Sequence, residues 1–239
     1  MTIRCVMDLL LRPGLGMTHA AALRDRLAAS PADALPALVE DHPVLLLALL
    51  RRAGSWPRAG RDLPQDAREA CQILGEEAVR SHLRTTLLIL PSPAGQAAAD
   101  QRARILREAG ERLLRLLEEA RTTEATPPGR VERTLLRLLE LPVRLADPAI
   151  APANPPAQWG RRLLEVMGGQ RWYNPEIIQA LAAMEDPVAV GGAAGRRGAL
   201  LRAVADLGVP GGLSDPGLAL HLGLMPWQLP DLGMGKQRG

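Results

Sequence analysis

An all-α fold is predicted, and three observations carry the prediction. The 239-residue chain contains no Phe, and only Tyr173 and four Trp supply aromatic rings. Its core must therefore come from Leu, Ala, Val and Ile, of which Leu and Ala are strong helix formers. Apolar residues recur at helical spacing, and strand-like alternation is missing. Helix-start sequences recur as well: a capping residue, then Pro in the first turn, then an acid facing the helix dipole. The apolar fraction of 47% suits a globular protein, and this length can bury a sizeable core in one large or two small domains.

Taken in order, Met1 to Gly16 form an N-terminal extension, apolar but interrupted by Asp8 and closed by Arg12-Pro13-Gly14. It is too short for a secretory h-region and lacks a clear cleavage site. Thr18 is placed to cap a helix through about Ala29. Ser30, Pro31 and Asp33 read as the next helix start, and Asp41 with Pro43 as another, with Gly54 ending the apolar helix between them. A helix is expected over 63–74 and stopped by Gly75, where backbone of positive φ is easy. Glu76 and Glu77 open the following one, to Leu90. Pro91-Ser92-Pro93-Ala94-Gly95 is the clearest break in the first half.

A long helix is expected from Gln96 to Arg121, with Ile105, Ala109, Leu113, Leu116 and Leu117 at helical spacing. After a linker from Thr122 to Gly129, residues 130–141 repeat that pattern. The stretch from Asp147 to Pro156 is rich in Pro and Ala and reads as a loop. Helices follow over Ala157–Met167 and from Asn174-Pro175-Glu176, where cap, Pro and acid stand in order. Gly191 to Gly198 reads as a break and a flexible loop. Helices are then expected over Ala199–Leu207, stopped by Gly208, from Ser214-Asp215-Pro216 to Leu222, and over Met225–Leu232. This divides the chain into the extension 1–16, an N-terminal helical lobe 17–93, a larger C-terminal helical lobe 94–232, and a disordered tail 233–239. Segment lengths vary too much for a helical repeat array.

The formal net charge is only +3, and Lys236 is the single Lys. A chain whose cations are nearly all Arg has a high isoelectric point without a strong field at neutral pH. The longest uncharged apolar run, Pro43 to Leu50, is far short of the ~20 residues a membrane span needs. Cys5 and Cys71 lack metal-ligand spacing. These features predict a cytoplasmic protein without a membrane partner.

Residue types that carry chemistry are sparse. None of His19, His42, His82 and His221 pairs with another at ligand spacing. The acidic pairs Glu118-Glu119 and Glu185-Asp186 read as solvated, because adjacent helical residues point to different sides. Gly233-Met234-Gly235-Lys236 lacks both the preceding Gly and the following Ser or Thr of a phosphate loop. Cys71 has no evident base partner. Arg102, Arg104, Arg107, Arg112 and Arg115 alternate with Glu108, Glu111, Glu118 and Glu119, a salt-bridged face rather than the basic stripe of a DNA reader. The aromatic residues Trp56, Trp172, Tyr173 and Trp227 sit in or beside expected loops and form the candidate partner surface, because such residues are enriched at interface hot spots.

Several short motifs occur in a telling order. Leu35-Pro36-Ala37-Leu38 precedes Asp41-His42-Pro43, and Ala53-Gly54-Ser55 follows. Next come Ala70 to Gly75 with Val79-Arg80, then Gly160, Leu163 and Leu164, Pro175-Glu176-Ile177-Ile178, and Leu220-His221-Leu222-Gly223-Leu224-Met225-Pro226. From about Leu35 to Leu232 this order resembles the HDOD family, bacterial helical signalling domains related to the HD metal hydrolases. No His-Asp dipeptide occurs in the chain, and the segment near its expected place reads Leu136-Arg137-Leu138-Leu139-Glu140. The resemblance implies a non-catalytic regulatory module, without metal or cofactor, that acts on protein partners. An atypical HD-type phosphohydrolase and a helical nucleic-acid-binding regulator are the alternatives, with nucleic acid disfavoured by the mixed charge.

Overall fold

The computed structural model describes residues 20–56, 62–89, 97–119, 129–145, 155–168, 170–208, 213, 215 and 217–224. Those residues form helices joined by short turns, with no strand among them, as the composition predicts. The Met1–Gly16 extension, the Thr18 cap, the break at Pro91–Gly95, the Met225–Leu232 helix, the tail and Trp227 lie outside the described residues.

Helix α1 spans Ala20–Ala29. A 3-10 turn over Ala32–Ala34 leads into α2, Leu35–Glu40. Ser30 does not cap that turn as expected; its hydroxyl donates to the Arg26 carbonyl and so belongs to the end of α1. Helix α3 spans Pro43–Gly54. Its N-cap residue is His42 rather than Asp41, with Pro43 in the first turn, where its missing N–H costs nothing. All of α3 except Arg51 and Arg52 is buried. A helix apolar on every side must sit inside a protein, and each Leu buried there contributes about 1.5–3 kcal/mol.

Helix α4 spans Ala67–Leu74, shorter than the expected 63–74, because Asp66 caps it by accepting from the Glu69 N–H. Such a cap contributes about 1 kcal/mol. Gly75 ends α4 at φ 79, a conformation that favours Gly, and α5 runs from Glu76 to Ile89. The Arg80 guanidinium donates to the Leu27 and Ser30 carbonyls and fastens α5 to the end of α1.

Helix α6 covers Ala97–Glu119. Its buried stripe is Ala103, Leu106, Ala109, Leu113 and Leu114, while Ile105, Leu116 and Leu117 are half-buried flanks. The expected 130–141 helix is two: α7, Arg130–Leu138, and α8, Glu140–Leu145. A 3-10 turn over Pro156–Gln158 precedes α9, Trp159–Met167. Another, over Gln170–Trp172, precedes α10, Pro175–Ala183, which Asn174 caps through the Glu176 N–H as predicted.

The glycine-rich stretch departs from expectation. Helix α11 spans Pro187–Val190, and α12 runs unbroken over Gly192–Leu207. The expected break is confined to Gly191, at φ 64 between the two helices, and the rest of the stretch to Gly198 is the first half of α12. A Cβ at Gly198 would lie 2.7 Å from Ala183 atoms, so the small residue lets α12 pack closely on the end of α10. Helix α13 spans Gly217–His221.

One contiguous apolar core runs from Leu23 to Leu224. Helix α3 passes through its middle, touching α4 and α5 on one side and α7, α8 and the 170–172 turn on the other. Helix α12 is the second organiser, packed on α6, α10, α11 and α13.

Candidate functional site

Two features of the described surface carry the functional question. The first is a corner at the C-terminal end of α3. Trp56 follows that helix directly and is 37% exposed, with the Arg52 guanidinium 4.9 Å from its ring centre. The 170–172 turn docks on the same end, with the Trp172 carbonyl over Gly54. Arg171 stacks on the Trp172 ring at 4.5 Å. The fold thus brings two Trp–Arg stacks to one end of one helix. A cation over an aromatic face contributes about 0.5–1 kcal/mol at exposed sites.

Tyr173 does not belong to this surface, and its expected role is corrected. It is only 2% exposed and part of the core. The 3-10 turn that docks Trp172 on α3 carries the next residue inward, and a chain without Phe uses this large ring as filling. Trp172 itself is half-buried, so Trp56 is the most accessible of the described aromatic residues proposed as a surface.

Beside Trp56 an open groove runs between Arg52 and the first two turns of α5, where Glu76, Glu77, Ser81 and His82 line it. His82 is half-buried, with Nε2 3.2 Å from the Ala48 carbonyl. Burial lowers its pKa, the hydrogen bond to Ala48 opposes this, and Arg52 lowers it further. The unfolded state therefore binds a proton that the folded state refuses. Stability should be full above about pH 6.5 and fall as pH drops toward the folded pKa. In H82Q the urea midpoint should change less between pH 7.5 and 5.5 than in wild type; equal slopes would remove His82 from this role.

The second feature is a cavity of about 490 Å³ where α2, α4, α6 and α7 meet. Five arginines line it: Arg68, Arg107, Arg130, Arg133 and Arg137. Beneath it lies Glu140, whose side chain is 0% exposed. Arg107 grips this carboxylate with two bonds, Nε to Oε1 at 2.8 Å and a terminal nitrogen to Oε2 at 3.0 Å. Arg137 approaches it at 3.7 Å. Burial alone would lower the Arg107 pKa, but the hydrogen bonds and charge of Glu140 outweigh it and the pKa rises. The stretch from Leu136 to Glu140 thus contributes an ion-pair network, in which guanidinium groups offer donors and no metal-binding lone pair. Among the described residues no three His, Cys, Asp or Glu side chains are placed to hold a metal ion.

The α6 arginines therefore do more than line a solvated face: Arg107 joins α6 to α8. Sequence reasoning missed this because Arg107 and Glu140 stand 33 residues apart. Cys71 is half-buried, and burial, then the charges of Asp66 and Glu40, push its thiol up to about 11. A thiol so seldom ionised is a poor nucleophile.

No helix among the described residues is long and apolar enough to cross a membrane. The helical fold is one already seen in solved structures. A crystal structure of the MmoQ response regulator from Methylococcus capsulatus is similar with a TM-score of 0.59 and 20% identity, over 95% of this chain and 100% of that one. A second MmoQ structure, of fragment 20–298, matches with a TM-score of 0.53 and 20% identity, over 91% and 90% of the two chains. At this identity the likeness shows the fold. No protein-family model matches the chain, and neither does any curated protein.

Proposed function

We propose that this protein is a non-catalytic bacterial regulatory module of the HDOD type that works by binding another protein. The observation that carries the reading is the fold shared along nearly the whole chain with a protein named as a response regulator. Two residue-level features support it. The motif order resembles HDOD domains, and where HD hydrolases carry a His-Asp dyad this chain has Arg137 and the paired Glu140 nearby. The partner surface is the corner built by Arg52, Trp56, Arg171 and Trp172, where flat aromatic faces stand beside guanidinium donors. Trp and Arg dominate interface hot spots, at about 2 kcal/mol or more each.

Affinity capture from a nuclease-treated native lysate tests this, with the W56A and R171A variants in parallel. Both side chains are exposed, so the variants should remain folded. A specific protein retained by wild type and bound at least tenfold more weakly by W56A, about 1.4 kcal/mol, is the expected result. Equal retention by the variants would move the partner to another face. Phosphodiesterase activity of the metal-supplemented protein would overturn the non-catalytic reading.

A further inference from the structure

The arginine-lined cavity has donors that the protein itself does not use. Three of its five guanidinium groups are committed to carboxylates. Arg107 holds Glu140, and Arg137 lies 3.5 Å from Glu111. Arg130 lies 3.0 Å from Glu69 and 3.5 Å from Asp66. Arg68 and Arg133 are different. Both line the cavity, both are exposed, and neither guanidinium makes a hydrogen bond or ion pair with the described residues. They come from separate elements, Arg68 from the first turn of α4 and Arg133 from the middle of α7.

A guanidinium presents five N–H donors in a planar fork that matches phosphate oxygens. Free forks in a walled space bind such oxygens with more directional hydrogen bonds than an ammonium would form. The cavity also holds an acceptor. Glu40 reaches it from α2. Burial, and then Asp66, raise the Glu40 pKa, while Arg137 and Arg68 lower it. Leu114, Thr134 and Leu136 complete a partly apolar wall. A volume of about 490 Å³ lies within the ~300–1,000 Å³ typical of small-molecule sites. The committed pairs fix the rest of the wall.

We infer that this cavity binds a phosphorylated small molecule that also carries hydroxyl or amino groups, of the size of a sugar phosphate or nucleoside monophosphate. Arg68 and Arg133 take the phosphate, and Glu40 accepts from a donor on the remainder. A macromolecular phosphate is disfavoured, because the free guanidinium groups face a bounded cavity rather than a continuous basic stripe. Bound there, the ligand would bridge α2, α4, α6 and α7 and stabilise the folded state by mass action.

Calorimetric titration of the full chain with AMP, ribose 5-phosphate and inorganic pyrophosphate tests the assignment, with adenosine and ribose as unphosphorylated controls. The expected result is a Kd below about 1 mM for AMP or ribose 5-phosphate and none for its unphosphorylated control, whereas binding of pyrophosphate alone would overturn the assigned ligand class. The double variant R68Q/R133Q should bind that probe at least tenfold more weakly. Its melting temperature without ligand should stay close to wild type, because neither guanidinium holds a hydrogen bond or ion pair with a described residue and Arg68 acts on Glu40 through its charge alone. R161Q, whose native partner Glu185 lies elsewhere at 2.9 Å, should bind as wild type does. Failure of all three phosphorylated probes, or equal binding by R68Q/R133Q, overturns the proposal. A DNA oligomer that binds through Arg68 and Arg133 while the small probes do not would also overturn it.

Discussion

G54A should destabilise the protein by about 3 kcal/mol or more, read as a fall in the urea midpoint at unchanged slope. Two effects of opposite sign meet at this residue. Gly54 is the last residue of α3, and in an isolated helix Ala is favoured over Gly by about 1 kcal/mol. A stabilised G54A would follow from propensity alone. In the folded protein a Cβ there would fall far inside van der Waals contact with the Trp172 carbonyl, which is backbone and cannot rotate away. Either the 170–172 turn lifts off α3 or the helix end distorts. Lifting the turn would also pull Tyr173 from the core, because Tyr173 follows it directly and is fully packed. Packing therefore wins over propensity. A G54A protein as stable as wild type would mean that the turn does not rest on α3.

The second large effect concerns Glu140. E140A should cost about 3–5 kcal/mol, because removing one member of a buried pair leaves the other charge uncompensated. Arg107 would keep the more exposed Asp41 carboxylate at 3.8 Å and the charge of Glu111. The double variant R107M/E140L should recover most of the loss, since replacing a buried pair by apolar side chains of similar volume is often neutral or stabilising. Arg137 retains Glu111 in that background. R107M, E140L and the double variant form a thermodynamic cycle whose coupling should exceed about 1 kcal/mol. Additive effects would show that the two residues act separately. Arg107 is committed to holding α6 on α8, whereas the Arg68 and Arg133 guanidinium groups hold no carboxylate among the described residues.

Local chemistry made much of the fold legible. The uncharged run from Pro43 to Leu50 has no polar side, so burial of α3 followed from its composition alone. Asn174-Pro175-Glu176 holds a complete start signal within three residues, and Gly75 a complete stop. Each rests on contacts within one turn of helix, which sequence spacing reports directly. The glycine-rich stretch was misread for the converse reason. Glycine is a poor helix former, but at Gly198 the close approach of α12 to Ala183 rewards the missing side chain. That reward depends on a neighbour about 15 residues away, which no local rule contains.

The candidate surface divides along the same line. Trp56 was marked by its place after a helix, and the fold leaves it at the surface. Tyr173, its equal by sequence, is buried because the turn before it docks on α3. Nothing in the sequence distinguished Arg68 and Arg133 from the other arginines, since an unused donor is defined by which carboxylates the fold places beside it. By itself the sequence determined helix content, the start at Asn174, the stop at Gly75 and the identity of the central helix, all of which are set by chemistry over a few residues. Only the tertiary structure decided which arginines pair with Glu140, which line a cavity with donors to spare, and which aromatic ring reaches solvent. Those outcomes depend on distances between residues far apart in the chain, and packing of the core fixes them.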